Sequence, residues 1–354
     1  MSARTLAAVA ARSLAAGSPE SMAWIVCALG LLGAWLAWLL APAGLPYAWL
    51  AALVAWIGWP LGSLALLLVH ALTGGRWGDA VRPGLLAGVA TMPLVLPLVV
   101  PVLLALPSLY FWAAPGANLP NAWYLNTGFF AVRGVFYLVV WLGLAWAVQA
   151  GRARQVAVPG LLLLAITVTF AAVDLTMSLQ PRFVSSIYGM LTGAGAVVLA
   201  LAAAILLGGA GGRPDIRNDV GKLLFALVLL WAYLNFMQVV IVWQNDLTEQ
   251  VPWYKLRTRG GWDRVMVVVV VGNAVLPLAV LLSARARRSP RALAAVALLL
   301  VAMAGLRAWW TVLPEAPGLP WPAALACLLG VCGAGTAVAL GQVRRHARQG
   351  AAHA

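Results

Sequence analysis

Along most of this chain, apolar residues do not alternate with polar ones. They run on in blocks of twenty or more, broken by short polar stretches. Ten such blocks fall at about 22–42, 46–73, 84–110, 126–150, 156–180, 184–209, 219–245, 261–284, 290–313 and 320–342. A helix rises about 1.5 Å per residue, so each block is long enough to cross about 30 Å of hydrocarbon. The pattern predicts an all-α integral membrane protein of ten transmembrane helices spanning 22–342. Residues 1–21 form a cytoplasmic leader and residues 343–354 a cytoplasmic basic tail. Pro60, Pro93, Pro97, Pro101 and Pro277 fall inside blocks, and each removes an internal hydrogen bond, so kinks are expected there.

Composition agrees with this reading. The chain is 64% hydrophobic and 9% charged, against about 25% charged in a soluble domain. A net charge of +14 would suggest a nucleic-acid partner in a soluble protein. Here the basic residues sit in short connections between apolar blocks, so they report orientation in a bilayer and not nucleic-acid binding. Arg76 and Arg82, Arg152 and Arg154, Arg213 and Arg217, and Arg285, Arg287, Arg288 and Arg291 mark alternate connections. The other side is barer, apart from Arg182 and Lys255, Arg257 and Arg259. The bias places both termini in the cytoplasm.

Cofactor ligands are scarce. Cys27, Cys327 and Cys332 lie in apolar blocks with no CxxC or CxxCH spacing, and His346 and His353 lie in the tail. The sequence therefore predicts no metal site and no covalently held haem.

The polar residues inside the blocks carry the candidate chemistry. The stretch Ile166–Gly189 places Asp174 within an apolar helix, near Thr167, Thr169, Thr176 and Ser178. An acid at the bilayer centre costs about 2.5–3.5 kcal/mol on insertion scales, which makes it a candidate functional residue. With the predicted topology, Arg133, Asp174, Asn235, Gln238, Asp246, Glu249 and Arg307 all fall toward the outer leaflet. One reading is an outer polar pocket or proton route. In it Asp174 acts as the catalytic proton acceptor and the others bind a head group or pass protons. The other is that Asp174 pairs with Arg133 or Arg307 and locks helices together. On the cytoplasmic side, His70 is a candidate proton relay or a helix cap, and Lys222 either joins it in an inner half-channel or snorkels to the surface.

Four motifs carry a resemblance: HALTGGRWG at 70–78, ITVTFAAVDLTMSLQPRFVSSIYG at 166–189, WAYLNFMQVVIVWQNDLTEQVPWY at 231–254 and the GGW at 260–262. Together they resemble the ActF subunit of bacterial alternative complex III, a quinol:cytochrome c oxidoreductase, and through it the NrfD / polysulfide reductase membrane subunits. The resemblance extends over about 22–313. It implies two four-helix bundles with a flanking pair, in a bacterial inner membrane. It implies a subunit without its own redox centre, which offers a quinone-type cavity or a proton pathway beside iron–sulfur and c-type haem proteins. Quinone or quinol is the only cofactor it implies. The alternatives are a structural membrane anchor, or a secondary transporter built from broken helices.

Overall fold

The computed structural model describes residues 17–40, 42–116, 121–180, 182–209, 212–244, 251–318 and 321–352. Among them the secondary structure is helical, with no strand. Ten spans are long and apolar enough to cross a membrane: α1 Pro19–Leu40, α2 Pro42–Thr73, α3 Arg76–Leu104, α4 Thr127–Gln149, α5 Ala153–Leu179, α6 Tyr188–Gly208, α7 Pro214–Gln244, α8 Trp262–Leu282, α9 Pro290–Glu315 and α10 Trp321–Arg345. The protein is thus an all-α, multi-pass membrane protein.

Two bounds differ from the sequence reading. The third span starts at Arg76, not near 84, because the Gly74–Gly75 pair turns the chain at once. Both glycines have positive φ (67° and 104°), a conformation that residues with a Cβ rarely adopt. At the other end, helix continues from α10 through Ala352, so most of the expected basic tail is an extension of the last helix. The prolines also divide. Pro60 is carried within an unbroken helix. Pro93 sits in a 3-10 turn, Met92–Leu94, that interrupts α3, and Pro277 follows a π-helical turn, Val271–Val275, in α8.

The contacts group the spans. Helices α2–α5 pack on one another, as do α6–α9, and α1 pairs with α10 at the side. The two groups meet where α2 crosses α6, and small residues allow the approach. A Cβ on Gly62 of α2 would come within 2.1 Å of the Ala196 carbonyl oxygen of α6. Close backbone contact through small residues is how helices associate where lipid removes the hydrophobic drive. Accordingly α2 is largely buried, while α1 and α7 expose rows of large apolar side chains such as Leu29, Trp35, Phe236 and Trp243.

The connections between spans lie on two faces. The basic face carries residues 74–75, 150–152 and 283–289, and its pieces are tied together. Arg217 Nε donates to the Arg288 carbonyl (2.8 Å) and Arg287 Nε to Asn218 Oδ1 (3.0 Å). The opposite face carries the short helix Val251–Leu256 and the turns after α3, α5 and α9.

Candidate functional site

Asp174 lies near the end of α5 and is only 2% exposed. Its carboxylate is fully engaged. Arg133 of α4 donates through Nε to Oδ2 (3.0 Å) and through Nη2 to Oδ1 (2.9 Å), a two-point grip. Tyr137, one helical turn beyond Arg133, donates its hydroxyl to Oδ2 (2.8 Å), and Tyr124 donates to Oδ1 (3.2 Å). Arg133 is satisfied in turn: Nη1 donates to the Tyr124 carbonyl (2.9 Å), and its guanidinium lies over the Tyr124 ring at 3.9 Å and the Phe129 ring at 4.4 Å. Tyr124 lies outside the spans, and burial beside the Asp174 charge raises its phenol from near 10 to about 12. A neutral hydroxyl held as a donor to a carboxylate is the expected result.

A second ion pair was not read from the sequence. Arg257, in the connection between α7 and α8, is 1% exposed. Its Nη1 donates to Glu315 Oε1 at the end of α9 (3.0 Å) and to the Trp253 carbonyl (3.1 Å), and Nη2 donates to the Thr311 carbonyl (2.5 Å). Gln180, after α5, donates to the other Glu315 oxygen (2.9 Å). Burial lowers the Arg257 pKa and the Glu315 charge opposes that shift. This pair fixes the short helix Val251–Leu256, whose Trp253 stacks on Phe183 at 4.3 Å between ring centres.

Arg307 of α9 differs from both. Its guanidinium packs against Gly195 of α6, where a Cβ would come within 2.8 Å, and lies 5.4 Å from the centre of the Trp231 ring. It makes no ion pair and no side-chain hydrogen bond with any described residue. It lines a cavity between the two bundles, walled by α2, α5, α6, α7, α9 and the short helix Val251–Leu256, with Trp141 of α4. The empty space, counted out to its mouth, is about 1180 Å³. Trp231, Asn235 and Gln238 share a face of α7, since positions i, i+4 and i+7 fall on one side of a helix, and all three line this cavity. Tyr188, Thr192 and Trp253 add to its polar and aromatic end, while Val54, Ile57, Leu61 and Leu199 form an apolar end.

The expected outer cluster therefore divides. Arg307, Asn235 and Gln238 come together at the cavity. Asp174 and Arg133 do not line it; Asp174 instead borders a second, almost wholly apolar cavity of about 730 Å³ among α2–α5. Counting residues along a helix gives depth, but helices apolar on every side do not reveal which way a polar residue faces. Asp246 and Glu249 lie outside the described residues. His70 ends α2 on the basic face, with Nε2 3.1 Å from the Gly75 carbonyl and 3.6 Å from Asp79 Oδ1, and Trp77 edge-on to its ring. Lys222 is exposed and pairs with Asp219 at 3.5 Å. Neither lines the inter-bundle cavity.

Among the described residues, no group of three or more His, Cys, Asp or Glu side chains is placed to hold a metal ion. Comparison with models of known protein families and with curated proteins yields no match for this chain.

Proposed function

We propose that this protein is a membrane subunit of a quinol-oxidising respiratory assembly, and that it contributes a cavity for a quinone head group. One observation carries the reading: an amphipathic cavity inside a membrane bundle, with a charged hydrogen-bond donor at one end and aliphatic walls at the other. A quinone is a flat ring with two acceptor oxygens and an apolar tail, and the residues fit it. Arg307 can donate to an oxygen, Trp231, Trp253 and Trp310 offer flat apolar surfaces, and Ile57, Leu61 and Leu199 suit the start of a tail. When bound, the quinone would supply the electron chemistry, with redox centres in iron–sulfur and c-type haem partners. The motif resemblance supports that setting. The basic bias of one face supports placing that face and both termini in the cytoplasm, with the polar end of the cavity toward the outside, and the motif resemblance supports a bacterial inner membrane.

On this reading Asp174 is not the proton acceptor. With four donors on its carboxylate it locks α4 to α5 and to the segment carrying Tyr124. The test is purification of the tagged protein from its native membrane in a mild detergent, with identification of co-purifying chains and a haem spectrum. Recovery with c-type haem and iron–sulfur chains is expected, together with slower quinol oxidation in an Arg307→Gln complex that still assembles. Recovery with unrelated chains, or unchanged turnover in that variant, would overturn the proposal.

A further inference from the structure

We infer that the inter-bundle cavity takes its head group as an anion, held by the guanidinium of Arg307. The inference uses the cavity reading above for its location and adds the charge state of what binds there.

Three arginines are buried or half-buried toward the face opposite the basic one, and two have carboxylates. Arg133 has Asp174 at 2.9 Å and Arg257 has Glu315 at 3.0 Å. Arg307 has the face of Trp231, the bare backbone of Gly195 and the neutral phenol of Tyr188 near it, and no carboxylate among the described residues. A guanidinium is not neutralised by deprotonation at ordinary pH, so its charge persists in the membrane interior. Such charges are retained where they pair with something or line a pathway.

The surrounding hydrogen bonds sharpen the point. Four hydroxyls that line the cavity already give their protons to the protein. Thr176 donates to the Ala172 carbonyl, Tyr188 to Thr176 Oγ1, Thr192 to the Tyr188 carbonyl and Thr311 to the Arg307 carbonyl. Asn235 likewise donates to the Trp231 carbonyl. What these groups still offer a ligand is mostly lone pairs. Trp231 and Trp310, which also line the cavity, each keep an unpaired indole N–H, but those donors are neutral. The charged uncommitted donors are those of Arg307, whose fork is shaped for a charged acceptor and binds one roughly twice as strongly as a neutral one.

The walls exclude a small inorganic anion as the sole occupant, because most of the lining is aliphatic or aromatic. Val239 lines the cavity and is 52% exposed, continuing the outward row of Phe236 and Trp243 on α7. An apolar tail thus has a lateral way out toward lipid. The shared chemistry is an ionised head on an apolar tail. Two sources supply it: a quinone bearing an ionised ring hydroxyl, or a fatty-acid carboxylate.

The experiment uses the purified full chain in detergent and follows quenching of its tryptophans, four of which line the cavity. The probes are an alkylated 2-hydroxy-1,4-naphthoquinone, its O-methyl ether, and dodecanoate as a competitor. The ionised hydroxyquinone is expected to bind about tenfold or more tighter than the ether, with affinity rising as pH passes the probe's own pKa. Arg307→Gln should bring the two to equal affinity and Arg307→Lys should keep part of the difference, with unfolding midpoints reported beside each. Gly195→Ala, whose new methyl would displace the guanidinium without removing it, should also weaken the ionised probe. Equal binding of the hydroxyquinone and its ether by the wild type would overturn the anion inference and leave the quinone cavity standing. Dodecanoate binding at least tenfold tighter than the hydroxyquinone, lost in Arg307→Gln, would keep the anion inference and overturn the quinone reading. No binding by any probe would overturn both.

Discussion

Arg133 and Arg307 are both arginines within membrane helices, at comparable heights, yet their surroundings are opposites. Arg133 gives donors to a carboxylate, a carbonyl and two ring faces, and the carboxylate receives two further hydroxyls. Arg307 faces a cavity with no acid and no hydrogen-bond partner among the described residues. The first arrangement spends the charge on holding helices in register. The second leaves it available to something that arrives. The comparison teaches that a buried charge is a functional signal only after its partners have been counted.

The largest effect should come from breaking the satisfied pair. Arg133→Met leaves Asp174 buried and uncompensated and should cost about 3–5 kcal/mol of stability. The double change Arg133→Met with Asp174→Leu should recover most of that loss, because an apolar pair of similar bulk no longer carries a buried charge. Arg307→Met, by contrast, should cost no stability, or raise it. Denaturant or thermal unfolding of the purified variants in one detergent decides this. If Arg307→Met proves as damaging as Arg133→Met, the two sites are alike and the contrast fails.

Glu315→Gln probes the intermediate case. Arg257 would keep the Trp253 and Thr311 carbonyls and lose its charge partner, so a cost of about 1–3 kcal/mol is expected. Because the pair fixes Trp253, which lines the cavity, the same change should loosen the short helix Val251–Leu256. Faster amide exchange in 251–256 than in α9 would show this, and unchanged exchange would place the anchor elsewhere.

Much of the fold was legible because hydropathy alone marks spans, and the ten blocks reappear with ends shifted by a few residues, more at α3. The site was legible in part. Asp174 stood out as an acid in an apolar run, and pairing with Arg133 was one of the two readings the sequence allowed. Tyr137 was missed as a partner although its place four residues after Arg133 puts both on one helix face. Tyr124 had no such signal, since it reaches Asp174 from a loop. Arg257 read as one of several cations in a connection, and Glu315 as nothing in particular, because 58 residues separate them and only the folded connection brings them together. The grouping of Arg307 with Asp174 was the main error of placement. It rested on height alone, and uniformly apolar helices carry no marker of rotation.

The smallest predicted effect tests the periphery of the satisfied site. The Tyr124 phenol is raised to about 12 by burial and by the Asp174 charge, against about 10 when unfolded. Its folded pKa is the higher one, so the stability it contributes is fully present below pH 10 and is lost as pH rises from 10 toward 12. Tyr124→Phe removes one partly exposed hydrogen bond, so at neutral pH the loss should be small, about 0.5–1.5 kcal/mol. The variant should also lose part of the alkaline fall in stability between pH 10 and 12 that the wild type shows. A slope unchanged by Tyr124→Phe would mean that the Asp174 network is not the closed unit that its hydrogen bonds describe.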